Sequence, residues 1–500
     1  MTRTIRNIAA NYAGSILPAL LSLLLIPFYI SKMGIEGYAL VGVFAALQAL
    51  FGPLDAGLSV AVMRELALRS GSPERASKNR VLIRTTETLY WAVALIIGGS
   101  VVALAPLIAT HWLGSSHLPT PVLTRAMVLI GITSMLQWPL SFYSGALYGL
   151  ERQVTANTIN VTAAAVNGLG AVLVLTLVEP SVAAFFQWQA VAYALHTTAM
   201  CAAVWLALPA GDPARFERRE LRAIWRFAAG ANAVTVLAVV LTQVDKVVLS
   251  RFLTLEMFGY YTLAGVAAGS LYRLVGPLSQ ALFPRFTALI ASGAWGELES
   301  VYHRACQLMS VVVFPAAVVI SIFSYELLLA WTHDVRTATS AAAILSVLVA
   351  GTMLHSTLFL PYQLQLAYGW VSLGIYTNAV AVAVIVPLTI VLAGAFGAVG
   401  AAFAWLILNL GYFLVSIPLM HTRILPHAKW RWYFRDVLLP LAASIIVVAA
   451  VRVIMPRSLN TMREIVAVGL TGAAAALCAA MTAQEIRHWI GASLRRRFAS

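Results

Sequence analysis

Apolar residues run through this chain in stretches of about 20 or more, separated by short polar breaks that carry most of the charge. A hydrocarbon core roughly 30 Å thick takes about 20 helical residues to cross. Only helices and closed barrels satisfy their backbone in lipid, and continuous apolar runs of this length mean helices. The pattern therefore predicts an all-α integral membrane protein with about fourteen spans. These are expected near 8–31, 37–62, 85–110, 123–149, 155–178, 182–208, 227–250, 257–284, 305–330, 338–366, 371–393, 398–420, 437–456 and 463–484. The connection near Gly369 is short and holds no basic residue, so the division there is the least marked.

The chain repeats itself. Ser31–Lys32, Gly37–Tyr38 and Gly52–Pro53–Leu54, followed by Arg64, are matched by Ser250–Arg251, Gly259–Tyr260 and Gly276–Pro277–Leu278, followed by Arg285. The offset equals six spans plus the charged stretch Asp212–Arg226. We expect a first six-helix lobe at 1–208, a cytoplasmic loop at 209–226, a second lobe at 227–421, and an added helix pair with a basic tail at 422–500. Internal repeats of this kind are a signature of transporters.

Composition agrees: 61% of residues are hydrophobic and 10% charged, and mean hydropathy is +0.85. The net charge of +14 does not point to nucleic acid, because the basic residues sit in short connections between spans. Cytoplasmic loops collect Lys and Arg. With both termini inside, most of the 33 basic residues fall on the inner side, including those between Arg64 and Arg84, between Arg215 and Arg226, and from Arg487 to Arg497. Outer connections are all short, so no large domain is expected there. Arg3 and Arg6 before an apolar run superficially resemble a signal peptide, but the run is too long, holds Pro18 and Pro27, and lacks a small-x-small cleavage site; it reads as the first span. Cys201, Cys306 and Cys478 form neither a CxxC nor an even set. There is no GxxxxGK[ST] loop and no HExxH, and no cofactor, metal or enzymatic activity is expected.

Charged groups inside spans cost about 2.5–3.5 kcal/mol each on insertion scales, so they mark candidate function. Arg273 falls near the middle of the eighth span, on one helical stripe with Ser270, Pro277 and Gln280. It suits either a phosphate in a wet passage or an ion pair with a buried acid. On the seventh span Asn232, Thr235, Gln243 and Lys246 share a face beside Asp245, although Lys246 is near enough to the end to snorkel. Asp55 is open to three readings: proton carrier, ion ligand or helix cap. Glu87, one turn inside the third span, is a coupling candidate or an interfacial group. Gln137 with Ser134, Ser141 and Ser144, and Asn160 with Asn167, make polar stripes for either substrate or inter-helix hydrogen bonds. His196 and His355 read mainly as packed histidines.

Two stretches resemble a known family. Asp55–Ala56–Gly57–Leu58 with Arg64–Glu65, and Gln243–Val244–Asp245–Lys246 through Arg251, Gly259–Tyr260–Tyr261, Ala264 and Pro284–Arg285, are similar to segments of O-antigen-flippase-type polysaccharide transporters. These belong to the multidrug/oligosaccharidyl-lipid/polysaccharide exporter superfamily. The resemblance implies a V-shaped pair of six-helix lobes around a cationic cavity. It implies flipping of undecaprenyl-diphosphate-linked oligosaccharide across the bacterial plasma membrane by alternating access, with the lipid tail left in the bilayer. Arg273 and Lys246 would then meet the diphosphate, while Asp245, Gln243, Asn232, Gln280, Gln137 and Asn160 would line the sugar path. Asp55, Arg64 and Glu87 are the coupling or gating candidates. A polysaccharide polymerase and glycosyltransferases are the implied partners, besides membrane lipid; nucleic acid is not. The alternatives are a cation-coupled multidrug or other lipid exporter of the same superfamily and, more remotely, a membrane glycosyltransferase or polymerase.

Overall fold

The computed structural model describes residues 2–55, 57–69, 78–113, 118–208, 213–220, 222, 239, 241–455, 461–485 and 487. Helices account for nearly all of the regular structure, and there is no strand among the described residues. Ten helical stretches among them are long and apolar enough to cross a membrane. Leu20–Asp55 covers parts of two expected spans, and Val371–Ile424 the whole of two. The expected span 227–250 lies largely outside the described residues. The chain divides into two compact units, Met1–Gly259 and Tyr260–Ser500.

In the first unit, α1 (Thr2–Phe51) is two helices joined at Gly34, whose φ of 73° a side chain would resist. A 3₁₀ turn at Gly52–Asp55 and the positive φ of Gly57 separate it from α2 (Leu58–Arg69). Then come α3 (Asn79–Leu107), ending in a π-helical turn at Ile108–Trp112, and α4 (Thr120–Gln137). Trp138–Pro139 breaks the expected fourth span, and α5 (Leu140–Gly149) follows. The unit continues with α6 (Gln153–Leu177) and α7 (Val182–Ala207), the latter capped by Ser181, whose hydroxyl accepts from Ala184 N–H. A helix α8 at 241–252 and the start of α9 (Leu255–Gly269) complete it.

Small residues let helices approach closely where no hydrophobic effect drives them together. A Cβ on Gly145 would meet Ser59 O at 2.8 Å, and one on Gly149 would meet Met63 O at 2.5 Å. Thus α5 lies directly on the α2 backbone, next to a core of Val62, Leu82, Phe142, Leu147 and Val204.

In the second unit, α9 breaks at Ser270–Leu271 and restarts as α10 (Tyr272–Ala291). Hydrogen bonds there span three residues, from Ser270 N–H to Ala267 O and from Arg273 N–H to Ser270 O, so the chain tightens before Arg273. Helices α11 (Trp295–Ile322), α12 (Ser324–Thr332) and α13 (Val335–Ala367) follow. Asp334 caps α13 by accepting from Thr337 N–H at 2.8 Å, and its contacts with Thr337 hold its carboxyl below the usual range. Gly369 (φ 81°) makes the turn into α14 (Val371–Gly411), which itself bends at Gly397 (φ 60°). A π-turn at Tyr412–Ser416 leads to α15 (Ile417–Ile424) and α16 (Ala428–Arg431). A longer π-helical stretch at Trp432–Leu438 continues into α17 (Leu439–Ile454). Finally, α18 (Thr461–Thr482) packs on α17 and α11.

Gly149→Leu is expected to destabilise the purified protein by about 1–3 kcal/mol through overpacking against α2. Thermal unfolding in detergent measures it; an unchanged midpoint would show that α5 can draw back from α2.

Candidate translocation site

The structure gives several of the expected residues defined surroundings. Lys246 is half buried on α8; its ammonium donates to Gln243 Oε1 at 3.0 Å and lies 3.4 Å from Thr242 O. Both belong to the first unit, where Lys246, Ser250, Arg251, His111 and Trp112 stand at a mostly apolar cavity of about 530 Å³. Trp112 Nε1–H donates to Ser250 Oγ at 2.8 Å, tying the π-turn of α3 to α8. Asp245, next along α8, is half buried.

Of the three readings of Asp55, the cap is the one with visible bonds. Its Oδ2 accepts from Ser59 Oγ at 2.8 Å and from Ser59 N–H at 3.4 Å, at the start of α2. The other oxygen accepts from Tyr90 O–H. Glu87 is deeper than an interfacial position suggests, being only 5% exposed. Its Oε2 pairs with Arg84 at 2.9 Å, and its Oε1 accepts from Tyr143 O–H at 2.7 Å, Trp205 Nε1–H at 3.2 Å and Cys201 S–H at 3.4 Å. Tyr90 stacks on Phe142 (4.8 Å between centroids), which touches Tyr143. One aromatic line therefore joins the two carboxylates.

The polar stripes divide. Asn160 Oδ1 bonds His196 Nε2 at 3.0 Å, and Asn167 donates to Gln189 at 2.9 Å, so these groups join α6 to α7. Ser134 Oγ accepts from Gln48 Nε2 at 3.0 Å. Gln137, at the end of α4, keeps Oε1 buried with no hydrogen-bond partner among the described residues. Arg64 is exposed on α2. Asn232 lies outside the described residues, and so does the side chain of Gln280, whose backbone is within α10.

Arg273 belongs to the second unit. It is not near the middle of one continuous helix: it sits in the first turn of α10, just after the break. Ser270 falls in the turn instead of continuing the expected stripe. The Arg273 side chain is exposed and carries no ion pair or side-chain hydrogen bond among the described residues. Nearby in the same unit, Tyr272 packs edge-on against His355, which stacks on Trp405 at 5.3 Å and bonds Asn409 at 2.8 Å.

Sequence reasoning passed over two ionic clusters. Asp436, fully buried, accepts from the His303 ring and from Gln307 Nε2 at 2.8 Å; Arg431 bridges to Glu485 at the far end of α18. This fastens the start of α17 and the end of α18 to α11. His303 and Asp436 fall just outside the expected spans, which hid them. Arg69, between Glu65 at 2.9 Å and Glu220 at 2.6 Å, joins the stretch after α7 to α2.

With that geometry in view, comparison with known proteins identifies the kind of molecule. A family described as "Polysaccharide biosynthesis protein" matches residues 38–332, more than half of the chain. The chain belongs to that family. A Shigella flexneri protein named "Putative O-antigen transporter" is 18% identical over 403 residues, covering 80% of this chain and 94% of its own. Among solved structures, a lipid II flippase, MurJ, in an inward closed conformation has a TM-score of 0.72 at 12% identity, covering 95% of this chain and 98% of its own. An inward-facing multidrug-resistance MATE transporter of the MOP superfamily gives 0.66 at 15% identity, covering 83% and 98%. The fold is that of MOP-superfamily transporters, and the protein is a multi-pass membrane protein.

Glu87→Leu is expected to cost about 2–3 kcal/mol, because Tyr143, Trp205 and Arg84 lose a buried acceptor. Glu87→Gln keeps an oxygen for Tyr143 and should cost markedly less. Thermal unfolding of the two variants checks this; equal midpoints would mean that the network does not hold the unit together.

Proposed function

We propose that this protein is a flippase that carries undecaprenyl-diphosphate-linked oligosaccharide from the inner to the outer leaflet of a bacterial plasma membrane by alternating access, without enzymatic chemistry. The observation that carries the reading is Arg273, an exposed guanidinium that no acid among the described residues holds, in the first turn of α10 just after the break that ends α9. Leaving such a charge in the membrane is costly unless an anion uses it. Guanidinium offers a planar fork that fits phosphate oxygens. Lys246 at its cavity is the second candidate for the diphosphate.

A sugar head moving through bare hydrocarbon would lose the partners of its hydroxyls; a polar path removes that cost. Gln137, whose buried oxygen has no partner among the described residues, is the strongest sugar-path candidate in the first unit, whereas Asn160 is engaged by His196. A head with two negative charges leaving an inside-negative cell gains about 2.3 kcal/mol per charge per 100 mV, so the potential alone can drive transport. Family membership and the O-antigen transporter relative support a lipid-linked glycan as cargo. Glycosyltransferases and a polymerase are the partners this role calls for.

A second reading, cation-coupled drug export, has its own support in the MATE-like fold and in the carboxylates Glu87, buried, and Asp55, half buried. Both acids, however, have their oxygens occupied by Tyr, Trp, Ser or Arg donors, which fits structural work better than cation exchange.

Deleting the gene separates the readings: lipid-linked oligosaccharide is expected to accumulate on the inner leaflet, measured by extraction and mass spectrometry. No accumulation together with new drug sensitivity would favour export. In the complemented strain Arg273→Ala should abolish rescue while Arg273→Lys retains part of it; full rescue by the Ala variant would remove Arg273 from the path.

A further inference from the structure

A second cavity, of about 580 Å³, is cut into the first unit between α3 and α7, with Tyr143 of α5 among its lining residues. Its chemistry changes steadily along α3. Arg80, Arg84, Thr88, Ala92 and Leu95 follow one another at steps of three or four residues, hence on one face. Arg84 and Leu95 are eleven residues apart, or about 16 Å along the helix. The groove is thus cationic at one end and apolar at the other.

At the cationic end the charges are fixed in place. Arg84 pairs with Glu87 at 2.9 Å, and its guanidinium carbon lies 4.9 Å from the centre of the Trp205 ring. Arg80 stands over the same ring at 5.6 Å. Two guanidinium groups against one carboxylate leave a net positive charge. The carboxylate is wrapped by Tyr143, Trp205 and Cys201, while the Arg84 side chain stays 49% exposed. Thr88 and Thr198 add hydroxyls beside it.

At the other end both walls meet an apolar solvent. On α3, Leu95 and Ile96 are exposed; on α7, Leu195 is exposed. Large aliphatic side chains bared on both flanks of a groove in a membrane protein face lipid chains.

We propose that this groove is a binding site for an anionic glycerophospholipid, drawn from the leaflet that meets the Arg-rich end of α3. Its phosphate sits at Arg80 and Arg84, its glycerol or head hydroxyls at Thr88 and Thr198, and an acyl chain lies over Ala92 and Leu95. Arg84, held by Glu87 and the Trp205 ring, loses little freedom on binding, which favours occupancy by one resident lipid over passing exchange. Neither Arg273 nor Lys246 lines this groove, and its occupancy by lipid does not depend on which substrate crosses.

The test is native mass spectrometry of the detergent-purified full chain with phosphatidylglycerol or phosphatidylethanolamine added. Wild type should retain one phosphatidylglycerol in clear preference to phosphatidylethanolamine, and millimolar inorganic phosphate should not displace it. Arg80→Gln leaves the Glu87 bonds intact and should weaken retention about fivefold, the effect of one Arg near an anionic lipid. Ala92→Trp fills the chain end and should abolish retention with both Arg residues present. Equal retention of the two lipids, or unchanged phosphatidylglycerol retention in both variants, overturns the proposal. So does displacement by undecaprenyl phosphate alone, which would make the groove a substrate site.

Discussion

A carboxyl group buried among apolar helices needs hydrogen-bond partners around it, and the first unit shows that constraint at Glu87. Glu87 draws Arg84, Tyr143, Trp205 and Cys201 to itself and so fixes α3, α5 and α7 to one another. Low dielectric makes each of these bonds stronger and the loss of any of them more damaging. In the second unit Asp436 plays the same part with His303 and Gln307, and there the bond reaches the added helix pair. The buried acids thus tie helices together within each unit, and Arg273 stands out because no acid among the described residues holds it.

The membrane character and most helix positions were legible because a bilayer demands long apolar runs and the chain supplies them. The Gly369 turn, the weakest division in the pattern, is marked by a positive φ. Hydropathy was blind to breaks that leave the run apolar. Trp138–Pro139 divides the expected fourth span, and Ser270–Leu271 the eighth, without any polar segment. The second of these moved Arg273 from mid-helix to a helix start.

Candidate site residues were found by charge and lost by context. Depth along a span showed that Glu87 and Asp55 needed an explanation, but not that Tyr90 and Tyr143 would provide it, since a tyrosine in an apolar run looks like core. Asn160 and His196 were both noted, on different spans, and only three-dimensional structure reveals that they satisfy each other. His303 and Asp436 went unremarked because they are 133 residues apart, near span ends where charge is ordinary. A proposed glycan path and a proposed lipid groove therefore rest on what remains: cations whose geometry leaves them available to an anion.

The proposed cargo is an anionic, lipid-linked glycan. Purified protein reconstituted into liposomes with a fluorescent undecaprenyl-diphosphate oligosaccharide measures this most directly, by quenching from outside. Faster exposure of the label than in protein-free liposomes, quickened by an inside-negative potential, is the predicted result. Labelled lipid that stays where it was loaded, in liposomes that instead move a cationic dye, would contradict the account.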